Sequence, residues 1–382
     1  LTKRAIEFEG KYSVKYCLRE IDKLNYEFEK DNKNDINILD YLIKKCRDVG
    51  TLNFSILARH GFIAKSFLNS LIEKKVFTKE EVDLFEQNLN TITTQMLNDS
   101  IKVKSKDINK KQFMKKYGHL RPGTYDITSK KYAQMKNFKF NARRKKNKFF
   151  YLSKEQKFKI HKLIKKNDFN INSDEFLNYL KNSLILREYS KFVFTKYLSL
   201  ILEIIAKFGK KKHLTRSEIS NVDIKYFLNK KFRKLKRSNL LNIIDKNKDK
   251  INLNKQIKLP SLIIDKSNLR VVPFQVNQPN FVTRKKIEGE YIYLDKFKNI
   301  KKLDNKIIVI DNADPGYDWI FAYKILGLVT KFGGINSHMA IRCSELSIPA
   351  VIGCGEQIFL DIINDQKKQI FIDCSASLIY ST

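Results

Sequence analysis

Long apolar runs are missing from this chain of 382 residues. None reaches the roughly 18 apolar residues that a membrane-spanning helix requires. The most apolar segment, Phe192 to Phe208, is interrupted by Lys196, Glu203 and Lys207, so it reads as a buried amphipathic helix and no membrane partner is expected. A basic n-region followed by an apolar h-region, the mark of a secretory leader, is also absent. Cysteine is scarce: Cys17, Cys46, Cys343, Cys354 and Cys374 form no Cys-x-x-Cys pair and no Cys/His ligand spacing. An odd, scattered set argues for free thiols in a reducing cytoplasm rather than a disulfide framework, and no metal site is expected. No period of about 20–50 residues recurs, which excludes a solenoid.

Acidic side chains are few as well, 41 against 75 basic ones, for a formal net charge of +34. Such an imbalance invites a nucleic-acid partner. Its distribution argues otherwise. From Tyr291 onward acids and bases balance, and the excess lies before that point, densest in Phe138–Lys148 and Lys230–Arg237. No RNA- or DNA-binding motif accompanies the charge, and nearby aromatics fall at helical spacing, which suits core packing. No nucleic-acid partner is expected; the basic surface suits ATP, a phosphorylated substrate or an acidic partner domain.

Residues 1–259 read as mostly helical. Apolar positions recur at three and four residues in Ile36–Arg47 and Leu52–Glu73. Thr78-Lys-Glu-Glu81 and Ser153-Lys-Glu-Gln156 have capping-box chemistry. A short helix is expected near Ser173, a long one over Leu186–Phe208 stopped by Gly209, and a loop over Arg216–Lys225 opening a further helix. The pattern changes at Pro260. Prolines 260, 273 and 279 and the extended segments Leu262–Ile264, Leu269–Val272, Glu290–Leu294 and Lys306–Ile310 follow. The expected architecture is multidomain α + α/β: a helical domain over 1–259, a hinge over 260–280 and a small α/β domain over 281–382. A domain that carries a group between two sites needs such a flexible link.

The chemistry concentrates in Lys331-Phe-Gly-Gly-Ile-Asn-Ser-His-Met-Ala-Ile-Arg342, followed by Ile348-Pro-Ala-Val-Ile-Gly353. Glycines let a backbone approach a phosphate, and the first turn of a helix offers unpaired N–H groups and a positive dipole end. A neutral imidazole there has a lone pair for attack on phosphorus. On local chemistry alone, a histidine at a helix start such as His338 is more often a satisfied structural residue.

The segment Ala313–Gly353 resembles the swivelling phosphohistidine domain of the phosphoenolpyruvate-utilising enzymes. Thr330, Gly333, Gly334, Ser337, His338, Ala340, Ile341, Glu345, Ile348, Pro349, Ala350, Val351 and Gly353 stand in register with that family's motif, and Asp314-Pro-Gly316 matches its turn before a strand. The resemblance implies that His338 accepts the phosphoryl group, with Thr330, Gly333, Gly334 and Ser337 supporting it. It implies ATP and Mg²⁺ as cofactors. The first 250 residues contain no Gly-rich phosphate loop and no acidic magnesium pair of ATP-grasp type. The chain, which starts at Leu1 rather than Met, is therefore expected to be the C-terminal portion of a longer kinase. Its partner is then an ATP-grasp domain of the same polypeptide or of a separate chain. No pyruvate-binding barrel is expected after Thr382.

In the helical part, Tyr117-Gly-His-Leu-Arg-Pro-Gly-Thr-Tyr-Asp126 breaks the periodicity. It is either a binding loop or a helix connector in which Asp126 caps the next element. It is similar to an acceptor-binding stretch of rifampin-type phosphotransferases, with Leu120-Arg121-Pro122 where those have Arg-Gly-Pro; this makes His119, Arg121 and Asp126 acceptor candidates. Arg187 and Lys191 lie four apart on one helix face, suited to phosphate or to surface ion pairing with Glu188. Arg59-His60 sits in a helix that otherwise reads as core. Arg187–Lys196 and Asp314–Phe321 are similar to synthase-like kinases found with bacterial surface-polysaccharide genes, including the glutamine kinase type of capsule phosphoramidate synthesis. The expected function is transfer of a phosphoryl group from ATP through His338 to a small molecule, the side-chain amide of L-glutamine being favoured. The alternatives are a rifampin-type antibiotic phosphotransferase, a phosphoenolpyruvate synthase-like enzyme, and a non-enzymatic phosphocarrier.

Overall fold

The computed structural model describes residues 10–30, 35–135, 138, 149–256, 265–266, 278–294, 303–365 and 369–382. The expected hinge at 260–280 and the extended segments Leu262–Ile264 and Leu269–Val272 lie almost wholly outside these, as does the basic run after Phe138. Contacts divide the chain into two compact units, Leu1–Leu120 with Ala142–Ile204, and Arg121–Asn141 with Ile205–Thr382.

The first unit is helical. Thr78 and Ser153 make the capping boxes that their sequences promise: each side chain accepts from the third helical N–H, and Glu81 or Gln156 answers the cap N–H. Asn109 and Gln112 form another. These pairs satisfy donors that a helix start leaves open. Leu52–Glu73 forms a helix with the bounds that its periodicity gives. Ahead of it the chain stays helical through Leu39–Lys45 and a wide π turn at Cys46–Thr51. The core is aliphatic and aromatic: Ile21, Leu24, Leu57, Leu68, Phe85, Phe113, Tyr117 and Tyr179 are at most 2% exposed.

One expectation is corrected here. The short helix at Ser173 and the long one over Leu186–Phe208 are a single helix, Ser173–Lys211, of 39 residues. Gly209 does not stop it. The end comes where His213 takes a left-handed φ of 57° and Leu214 N–H donates to Gly209 C=O at 2.9 Å, the closing arrangement of many helices. A lone glycine costs a helix only about 1 kcal/mol, so the helix runs past it to the geometric stop at His213. Arg187–Lys191 consequently lies within the helix rather than at its start. The loop expected over Arg216–Lys225 contains a capped turn at Arg216–Ile219 before the helix Ile224–Leu228.

The second unit carries a seven-stranded sheet. Its strands are β1 (Asn280–Val282), β2 (Lys286–Tyr293), β3 (Ile307–Asn312), β4 (Gly327–Phe332), β5 (Ala350–Ile352), β6 (Gln369–Asp373) and β7 (Leu378–Ser381). Their order is β1-β5-β4-β3-β2-β6-β7. Strands β2, β3, β4 and β5 run parallel, with antiparallel strands on both flanks. The parallel centre explains the composition of Ile307-Ile-Val-Ile310, every residue of which is 0% exposed: strands covered on both faces read as continuous apolar runs, not alternation. Helices His338–Leu346 and Gly355–Asn364 follow β4 and β5. Phe359 and Ile362 pack into the core with Val309, Val329 and Val351. The molecule thus joins a helical part to a mixed α/β sheet domain, multidomain α + α/β.

Candidate phosphohistidine site

Parallel strands place their carboxyl ends along one edge, and segments leaving them converge there. Strand β3 ends at Asn312 and leads into Asp314-Pro-Gly316. The Asp314 carboxylate accepts from Gly316 N–H at 2.7 Å, and Pro315 opens a 3₁₀ stretch to Ala322 with its φ pre-set. Neighbouring β4 ends at Phe332 and leads through Gly333-Gly334 into the helix headed by His338. Pairing of Asn312 with Phe332 aligns the two exits.

Three motif residues hold this edge together. Gly333 has φ 144° and Gly353 φ 69°, the region that favours glycine. A Cβ on Gly353 would lie 2.3 Å from Gly333 O, so the loops after β4 and β5 touch backbone to backbone. Thr330 is 0% exposed, and its Oγ1 accepts from Gly353 N–H at 2.9 Å. Thr330 thus supports the loops from beneath. Gly334 faces open space. Ser337 is the N-cap, its hydroxyl accepting from Ala340 N–H at 3.3 Å. The helix therefore starts at His338 with its dipole's positive end toward the edge.

His338 Nε2 lies 3.0 Å from Asp318 Oδ1. Arg342, one turn along the helix, donates from Nε to the same oxygen at 2.9 Å and from its terminal nitrogen to Glu345 Oε2 at 2.7 Å. Asp318 and Arg342 side chains are 5% and 3% exposed. Burial alone would push the Asp318 carboxyl up. The Arg342 charge and the His338 bond outweigh it and hold the carboxyl below its ordinary value. Burial likewise opposes charge on Arg342, and Asp318 and Glu345 keep it cationic. Neither Asp318 nor Arg342 stood among the residues chosen from sequence. The usable signal was the spacing of His338 and Arg342, which puts both on one helix face.

The Tyr117–Asp126 segment behaves in two ways. His119, in the first unit, lies 3.2 Å through Nε2 from Phe192 C=O and packs edge-on against the Phe192 ring. Arg121, in the second, is 2% exposed and donates to the carbonyls of Asp126 and Ser129. Asp126 accepts from the N–H and hydroxyl of Thr128 at 2.8 and 2.7 Å. Both residues thus brace their own loop. That loop lies on the Asp314-Pro-Gly316 turn. Thr124 donates from Oγ1 to Asp314 at 3.0 Å, and the buried Tyr132 hydroxyl donates to Gly316 C=O at 3.1 Å. A Cβ on Gly316 would fall 1.7 Å from Arg121 O.

The remaining candidates lie in the first unit. Arg187 pairs with Glu188 at 2.8 Å and packs over Gly61. Lys191 is half-buried and Arg59 exposed. His60 is 4% exposed. Its Nε2 lies 2.8 Å from Tyr12 C=O, which only accepts, so Nδ1 accepts from the Tyr179 hydroxyl at 2.9 Å. This is a neutral imidazole with both nitrogens satisfied, and burial lowers its pKa. Among the described residues no group of three or more His, Cys, Asp or Glu could hold a metal ion. Among them, too, no helix is long and apolar enough to cross a membrane.

Comparison with known proteins agrees with this geometry. Residues 302–377 match the family described as PEP-utilising enzyme, mobile domain. Rifampicin phosphotransferase of Bacillus cereus is 21% identical over 388 residues, covering 84% of this chain and 44% of that protein. Phosphoenolpyruvate synthase of Escherichia coli is 44% identical over 50 residues, 13% of this chain and 6% of that protein. The chain thus spans less than half the length of either relative. Residues 302–377 thus carry a match to the mobile domain of PEP-utilising enzymes.

Proposed function

We propose that the chain is part of an ATP-dependent phosphotransferase in which His338 carries the phosphoryl group. The observation that bears most weight is the position of His338 at the first residue of a capped helix, just after a Gly-Gly loop at the carboxyl edge of a parallel sheet. A ring nitrogen attacks a nucleotide phosphorus; the phosphorus–oxygen bond to the nucleotide breaks and its electron pair leaves with that oxygen. An acceptor then displaces the imidazole, which recovers the nitrogen–phosphorus electron pair. Two displacements replace one difficult transfer. ATP and Mg²⁺ are assigned to an ATP-grasp domain of the same polypeptide or of a separate chain, because the first 250 residues contain no Gly-rich phosphate loop and no acidic pair of ATP-grasp type. The expected division at 259 and 280 separates an acceptor-binding part from the carrier.

For the acceptor we propose the side-chain amide of L-glutamine, on the likeness of Arg187–Lys196 and Asp314–Phe321 to surface-polysaccharide kinases. Its attacking nitrogen gives a proton to a base as the new nitrogen–phosphorus bond forms. A rifampicin-type acceptor is the second reading, favoured by the 84% of this chain that matches rifampicin phosphotransferase. The test is to supply ATP and the donor domain and look for an acid-labile, base-stable phosphoprotein. Label lost in His338→Ala supports the reading; label retained there, or none in the wild type, sinks it. Phosphorus NMR with glutamine, rifampicin and pyruvate then names the acceptor.

A further inference from the structure

We infer that Asp318 is the positioning residue of His338 in its unloaded state, holding the ring through Nε2. The inference rests on the reading of His338 as the phosphoryl carrier, and its test does not depend on that reading.

Asp318 arrives from the exit of β3 and His338 from the exit of β4, so the contact is built by the sheet rather than by neighbouring residues. One carboxylate oxygen receives both His338 at 3.0 Å and Arg342 at 2.9 Å. A carboxylate this deeply buried is costly unless it is paired and hydrogen-bonded. Replacing such pairs by apolar residues is often neutral for stability, so their presence is weak evidence of a purely stabilising role. Arg342 supplies the charge that keeps Asp318 ionised, and Glu345 fixes the guanidinium from its other side.

The chemistry then follows from the donor inventory. An ionised carboxylate only accepts, so the hydrogen lies on Nε2 and points at Oδ1. A neutral imidazole carries one hydrogen, and its lone pair is on the other nitrogen. While Asp318 holds the Nε2 hydrogen, Nε2 has no lone pair to offer phosphorus. A phosphoryl group on Nε2 and the Asp318 contact therefore exclude one another. Asp318 fixes the tautomer and the ring plane, as the buried acid does for the histidine in a hydrolase triad.

The experiment is nitrogen-15 NMR of this chain with ring-labelled histidine, near pH 8, with no nucleotide. His338→Ala identifies the resonance. The wild type is expected to show His338 predominantly as the Nε2–H tautomer, and Asp318→Asn to shift it to a mixture while the other four histidines keep their positions. A wild-type His338 with its hydrogen on Nδ1 overturns the inference, whether or not any variant folds. So does a folded Asp318→Asn protein with an unchanged tautomer. Loss of the phospholabel in His338→Ala tests the carrier role separately, so the two ideas can fail independently.

Discussion

At the scale of single residues, the histidines show how one residue type divides between roles. His60 and His338 both lie in helices and both are largely buried, yet His60 touches a tyrosine hydroxyl and a carbonyl, and His338 an ionised acid. Burial depresses the His60 pKa, against the Tyr12 carbonyl, which favours the charged ring, and this links the residue to stability. Above the ordinary histidine value near 6.5 both folded and unfolded forms are neutral, and nothing is lost. As pH falls below that value the unfolded chain takes a proton that the folded one refuses, so stability declines until the folded pKa is passed. The slope from this residue is at most about 1.4 kcal/mol per pH unit. Urea titrations between pH 7.5 and 5.5 should show a steeper decline for the wild type than for His60→Gln, even though the variant starts less stable; equal slopes would remove His60 from the account.

Among elements, the loop after Leu120 contributes more to the sheet unit than its sequence suggests. Arg121 and Asp126 read as acceptor candidates because charge in a Gly/Pro loop is common at binding sites. Arg121 and Asp126 bond the loop to itself, and Thr124 and Tyr132 fasten it to the turn that leads to Asp318. Gly316→Ala would drive a methyl into Arg121 C=O, so the loop must lift. Hydrogen exchange at 121–134 is expected to accelerate by about tenfold or more, with β3 and β4 still protected. Unchanged exchange would show that the loop does not depend on this close approach. Local chemistry was enough to read the caps at Thr78 and Ser153 and the helix at His338, because each is fixed within a few residues. The join between Ser173 and Lys211 was hidden, since Gly209 suggests a stop that only the left-handed His213 supplies. Asp318 was hidden for a different reason: its partner lies 20 positions away, and strand pairing alone unites them.

For the whole molecule, the net charge of +34 is the dominant physical fact. Like charges at this density repel and weaken the folded state. The paired surface lysines, such as Lys45 with Glu27 and Lys157 with Asp174, neutralise only a fraction. Added sodium chloride shortens the range of repulsion to about 10 Å at 0.1 M. Relief worth about 1 kcal/mol would raise Tm by about 2–4 °C. Thermal melts from low to moderate salt should show that rise; a fall would mean that attractive ion pairs outweigh the excess.

The pairing of Ile310 with Thr330 and of Asn312 with Phe332 has a last consequence. A fragment that begins after residue 318 carries His338 without its acid, and a one-residue slip between β3 and β4 would part the two. A nascent or misassembled chain carries the histidine without the arrangement that sets its tautomer. The contact of His338 with Asp318 thus doubles as an inspection stamp on strand registry, issued only after distant segments have found their proper neighbours.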